Sequence, residues 1–314
     1  MHQWIKYVVI NTESGLLRSG WRALVFLTIL VLPPRLLMAT GGSGAPDAPN
    51  KAISTYEVGI SQVAYYLPMV TWILIVSWFC LVFLERKRLG ALGLEFSRGW
   101  WQDFQQGLLM STLMVGSIFL AQVLFGASRP ALNSWWSSGG VVGPLLRHSM
   151  VETTWSLLLL TLAALFEELL YRGYAFQTLL RGSHPAVPIS ILSVLFGLSH
   201  LGNPNSTLLS TANTILAGLW LAAAYLKSRN LWFPTGLHLG WNVMLGPVFG
   251  LPVSGRLIPS HPLILTSSGE PLWLSGGGYG SEGGAGATAV LTIAILIIVW
   301  RRNATANKST APDN

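Results

Sequence analysis

Charge is what this sequence lacks. Of its 314 residues only 10% are Asp, Glu, Lys or Arg, while 51% are hydrophobic; a soluble domain carries about 25% charged residues. So little charge cannot cover a water-facing surface, which excludes a soluble globular protein. Cysteine is nearly missing as well. Cys80 stands alone inside an apolar run, so no intramolecular disulfide can form, and the thiol reads as packing. No histidine is followed by glutamate, so the helical zinc motif H-E-x-x-H is absent. No internal repeat is evident.

What is present is a series of long apolar blocks. A span needs roughly 20 apolar residues to cross ~30 Å of hydrocarbon. Eight blocks meet or approach this, at about 21–39, 58–84, 104–127, 153–180, 187–201, 207–226, 231–250 and 286–300. The expected fold is therefore all-α, a polytopic transmembrane bundle of about eight spans. Pro33-Pro34 interrupts the first, and the fifth and eighth are short. The formal charge of +7 follows topology rather than nucleic-acid binding. With the N-terminus inside, 13 Lys and Arg fall on the inner side and 5 outside, the bias of cytoplasmic loops. Both termini are accordingly expected in the cytoplasm. The start of the chain resembles a signal peptide ending near Ala39, but its long polar lead and two prolines favour an uncleaved first span. Residues 40–57 and 251–285, rich in Gly and Pro, read as flexible outer loops, and residues 303–314 as a disordered polar tail. Glu85-Arg86-Lys87-Arg88 reads as an inner headgroup anchor. Trp100-Trp101, Trp135-Trp136 and Trp232 read as an interfacial aromatic belt.

The informative residues are polar groups inside spans. A charge at the bilayer centre costs at least ~2.5–3.5 kcal/mol, so it marks function by default. Glu167, Glu168 and Arg172 lie in the fourth block, His200 ends the fifth, and His238 and Asn242 lie in the seventh. Glu152, His148 and His184 sit near block edges and read as interfacial. Glu168 and Arg172 are four apart and share a helix face. Glu167 is turned about 100° away, toward a different neighbour. His238 and Asn242, also four apart, share a face. At 1.5 Å per residue, Glu167, His200 and Asn242 lie ~20, ~21 and ~17 Å from the inner ends of their helices, and His238 ~10 Å. All fall within about two helix turns of one level.

These residues form three patterns: Glu167-Glu168-x-x-x-Arg172, Phe196-x-x-x-His200 and His238-x-x-x-Asn242. In order and spacing the chain resembles the CPBP family, the CAAX-protease and bacteriocin-processing membrane proteins also called Abi. The resemblance covers about residues 150–248. It divides the chain into an N-terminal region of three spans (1–150), a catalytic helical core (151–250) and a region of Gly-rich loop, last span and tail (251–314). It implies an intramembrane endopeptidase acting on membrane-associated proteins or peptides. Glu167 with His200 would activate water, His238 and Asn242 would bind the oxyanion, and Glu168, Arg172 and Phe196 would support the site. The implied partners are the lipid bilayer and a membrane protein or peptide substrate, not nucleic acid. The location is the plasma membrane if the chain is bacterial. No cofactor is favoured, although Glu167, His200 and His238 are a donor set that zinc accepts. The three aspartates, Asp47, Asp103 and Asp313, lie in loops or at ends, which excludes an aspartyl intramembrane protease. Gly41-Gly42-Ser43-Gly44 lies in a loop and reads as linker. A non-catalytic scaffold or immunity protein and a proton-coupled transporter are the alternatives.

Overall fold

A computed structural model describes residues 9–11, 14–40, 55–133, 144–258 and 260–309. Trp135, Trp136, Asp47, Asp313 and the 41–44 glycine run lie outside them. The chain is mainly helical: α1 Ser19–Thr40, α2 Thr55–Phe79, α3 Trp100–Leu124, α4 Pro144–Tyr171, α5 Tyr174–Gly182, α6 Ala186–Leu198, α7 Leu208–Ser228, α8 Trp232–Val243 and α9 Ala285–Ser309. Each expected apolar block is occupied by helix. The count of eight spans is not reproduced, however. Among the described residues four helical segments are long and apolar enough to cross a bilayer: Ile60–Leu84, Trp100–Leu124, Met150–Gly182 (most of α4 together with α5) and Leu208–Ser228. Ser19–Val31, Ala186–Leu198 and Ala285–Trp300 are shorter apolar helices. The block at 231–250 holds α8 followed by a π-helical turn, Met244–Val248, that contains Pro247.

Outward faces remain apolar. Along α3, Leu109, Leu113, Leu120 and Leu124 are 58–74% exposed, a stripe that only lipid would solvate without penalty. With the long apolar helices, it makes the protein an integral membrane protein. Inside, the apolar side chains form two principal clusters. One joins α1, α2, α4 and α5 through Phe26, Ile73, Leu169 and Phe176. The other joins α3, α7, α8 and α9 through Val115, Trp220, Leu237 and Leu291. Leu160 and Ala164 of α4 meet Leu239 of α8 at the seam.

Close helix approach needs small residues where lipid supplies no hydrophobic drive. Gly236 and Gly240 lie one turn apart on α8 and face α3. A Cβ on Gly236 would collide with the Phe104 carbonyl, and one on Gly240 with Ser111 Oγ and the Leu108 backbone. His238 and Asn242 fall on the opposite side of the same helix, about 200° around from the glycine face. One face is thus used for packing and the other is turned to the seam.

Several expectations change. Pro33-Pro34 does not break α1, which continues to Thr40; membrane helices tolerate proline where neighbours re-satisfy the backbone. The fourth block is not one helix. It leaves helical geometry at Gly173 (ψ −136°), so a constant rise from Glu167 to Leu180 does not apply. Residues 251–285 are built rather than loose. Strand β2 (Ile264–Ser268) pairs antiparallel with β1 (Ser128–Leu132), and Leu274, Tyr279 and Ser281 are buried. Gly276, Gly277 and Gly280 all have positive φ, so these glycines serve tight turns. Helix α9 runs to Ser309, into the stretch expected as disordered tail.

Candidate active site

The site forms at the seam between the two clusters. Neighbouring residues on α4 diverge by about 100°, and Glu167 and Glu168 accordingly meet different partners. Glu168 is fully buried. Its Oε1 accepts from Arg172 Nη1 at 3.1 Å and lies 2.9 Å from Nδ1 of His238. Arg172, 2% exposed, also donates from Nη2 to the carbonyl of Gly218 on α7 at 3.0 Å. That carbonyl is reachable because α7 approaches α6 closely at Gly218, where a Cβ would meet Ser193. The Arg172 guanidinium stacks over the Phe196 ring, 4.7 Å from its centroid, a cation–π contact. Arg172, Glu168 and His238 thus form one continuous polar chain across α7, α4 and α8.

Glu167 points into the cavity instead. Its Oε2 lies 3.7 Å from Nε2 of His238 and 4.0 Å from Nε2 of His200. Both separations exceed a hydrogen bond, and this oxygen is buried without a hydrogen-bond partner. His200 follows α6 in a turn. Its Nδ1 lies 2.8 Å from the carbonyl of Phe196 and 3.2 Å from Ser199 Oγ, which fixes the ring and leaves Nε2 toward Glu167. Asn242, buried one turn beyond His238, lines the same cavity. The cavity holds about 620 Å³. All the polar residues singled out in the three patterns are therefore brought together; the link from His238 to Glu168 was not foreseen.

A second cavity carboxylate was missed. Glu282 lies in the stretch read as flexible loop, and its neighbours gave no apolar period to place it. It lines the cavity and accepts from Trp241 Nε1 at 3.0 Å and from the Ser254 amide. Burial pushes its carboxyl above the usual range, against the pull of those donors and of His200. Trp241 directly precedes Asn242 and lines the same cavity, so Glu282 ties residues 251–285 to α8 beside the polar pair. Glu152 also differs from expectation: it is buried and lies 2.8 Å from Nε2 of His261. His184 lies apart at the start of α6, where its Nδ1 accepts from the Ala186 amide. The His148 side chain is outside the described residues.

Tetrahedral zinc with ~2.0–2.1 Å bonds would set its ligand atoms ~3.3 Å apart. The Glu167–histidine separations are wider than this. Among the described residues no three His, Cys, Asp or Glu side chains are grouped to hold a metal ion. As placed, the donor set does not fit zinc.

An acid with an unsatisfied oxygen, two histidines and an amide thus line one cavity of a helical membrane protein. Residues 149–244 match the family model described as type II CAAX prenyl endopeptidase, Rce1-like. Over that segment the chain is similar to the Rce1-like family, which is consistent with a CPBP/CAAX protease resemblance. No curated protein matches the chain.

Proposed function

We propose that the protein is an intramembrane endopeptidase that hydrolyses peptide bonds of membrane-associated proteins or peptides by a glutamate mechanism. The observation that carries this reading is the buried, unpartnered Oε2 of Glu167 between two histidine Nε2 atoms. A water oxygen taken up between them would lie within reach of a carboxylate base and of His200. As water attacks, its proton passes to Glu167 and negative charge grows on the scissile carbonyl oxygen. Asn242 Nδ2 and a protonated His238 Nε2 are the donors for that charge. With Nδ1–H committed to Glu168, His238 keeps its orientation throughout. The proton held by Glu167 then moves to the leaving amine. A scaffold would have no use for a carboxylate oxygen held between two histidines at a cavity. The positive-inside bias supports both termini in the cytoplasm, and plasma-membrane residence follows if the chain is bacterial.

Comparative membrane proteomics of wild-type cells and a Glu167→Gln strain would identify accumulating uncleaved proteins. Purified enzyme should cleave such a protein, and Glu167→Gln should lose turnover while melting as wild type does. Chelator-stripped enzyme should keep its activity. Full activity in Glu167→Gln would remove the protease assignment, and activity lost on stripping and regained with zinc would remove the metal-free mechanism.

A further inference from the structure

At the opposite end of α5 from the catalytic seam, a second cavity of about 520 Å³ opens between the start of α1 and the end of α5. It is lined by Arg18, Ser19, Gly20, Trp21, Arg22 and Arg181, with Leu24 at its edge. Beside it Glu85, fully buried, is met by Arg22 at 3.1 Å, Lys87 at 3.2 Å and Arg181 at 2.5 Å. One carboxylate against three cations leaves an excess of two positive charges. Arg22 Nε is buried without a hydrogen-bond partner. The amino end of the 22-residue α1 adds its partial positive charge to the same place.

The cavity continues into an apolar track. Trp21, Leu24, Leu27 and Val31 are spaced three to four residues apart on α1 and are 37–52% exposed. A cationic pocket opening onto an apolar stripe matches an amphiphile: an anion at the pocket and a hydrocarbon chain along the helix. Trp21 at the rim is the residue type that settles at headgroup level.

We propose that this pocket binds the phosphate of an anionic phospholipid headgroup, with an acyl chain along Leu24, Leu27 and Val31. The site is separate from the catalytic cavity and independent of the protease reading. A lipid held here would join α1, α2 and α5, whose ends meet at Glu85.

Gly20 gives a clean test, because a Cβ there meets nothing within 4 Å. Full-length protein in detergent would be titrated with phosphatidylglycerol, phosphatidylcholine or inorganic phosphate while its melting temperature is followed. Phosphatidylglycerol should raise the melting temperature of wild type and of Gly20→Gln. In Gly20→Glu its apparent affinity should fall about fivefold or more, the effect of one charge beside an anionic headgroup. Equal stabilisation by both lipids, or unchanged affinity in Gly20→Glu, would overturn the site. Stabilisation by inorganic phosphate equal to that by phosphatidylglycerol would overturn the lipid assignment in favour of a free anion.

Discussion

Replacing Arg172 by Met measures what holds the seam between the two apolar clusters together. The side chain is 2% exposed and makes two hydrogen bonds, to Glu168 Oε1 at 3.1 Å and to the Gly218 carbonyl at 3.0 Å. Removing one partner of a buried pair strands the other charge, which costs roughly 3–5 kcal/mol. His238 still reaches the same Glu168 oxygen, so the low end, about 3 kcal/mol, applies here. The abandoned Gly218 carbonyl adds about 1 kcal/mol. Methionine fills much of the arginine stem, so little is added for a cavity. The expected loss is about 4 kcal/mol in all, enough to lower the amount of folded protein in the membrane.

The stranded charge can be separated from lost packing by a second substitution. In Arg172→Met/Glu168→Gln no uncompensated carboxylate remains, and about 2–3 kcal/mol should return. Arg172→Lys should fall between, because the planar fork that reaches two acceptors is lost. Thermal unfolding of the purified variants in detergent, with membrane expression levels, reads all three. An Arg172→Met protein that melts like wild type would refute the reasoning. So would a double variant no more stable than the single one.

The glycine seam should be as exacting as the polar chain: Gly236→Leu should collapse stability by overpacking against the Phe104 backbone, at a cost above ~3 kcal/mol. Gly116→Leu on the same helix pair, where a Cβ meets nothing within 4 Å, should melt like wild type. Burial alone would raise the Glu85 carboxyl, but the Thr178 hydroxyl and the Arg181 and Arg22 charges hold it below its ordinary value of 4.5. Its stabilisation is therefore complete above that value and lost as pH falls through the lower folded value; Glu85→Gln should flatten the acid limb of a melting-temperature profile. On a Cys80→Ala background, an outside-applied maleimide should label Ser267→Cys and spare Ser97→Cys, both exposed positions; the reverse pattern would invert the topology.

The parts of this molecule legible in its sequence are those where the membrane makes error expensive. Helix is the only open-chain way to satisfy a backbone in lipid, so every apolar block became helix. Charges inside such blocks were conspicuous for the same reason, and Glu167, Glu168, Arg172, His200 and His238 could be picked out one by one. Loops expected to share a side also meet one another. Arg22, Glu85 and Arg181, all expected on the inner side, meet in one ion cluster. Asn203 and Ser254, both from expected outer segments, are hydrogen-bonded at 2.9 Å. What the sequence concealed lies outside the lipid constraint. The span count of eight is not confirmed, because short helices can sit among neighbours without crossing alone. Residues 251–285 look like a linker because glycine makes tight turns and loose chain from the same letters. Glu282 was lost with them, since its partners Trp241 and Ser254 are 41 and 28 residues away.

The division of labour between Glu167 and Glu168 comes from helix geometry alone. Two adjacent carboxylates in a membrane would both need neutralising, and a fully paired set would be inert. The 100° turn between them lets α7 and α8 attend to Glu168 through Arg172 and His238 while neither bonds Glu167. Each carboxylate keeps one buried oxygen without a hydrogen-bond partner, but only Glu167 holds its own at the cavity, beside two histidine Nε2 atoms. In the proposed mechanism the proton that stabilises this oxygen comes from the water molecule that attacks the peptide. The same histidine that secures Glu168 through Nδ1 presents Nε2 at 3.7 Å from Glu167. Holding the first carboxylate still therefore aims the donor needed by the chemistry at the second.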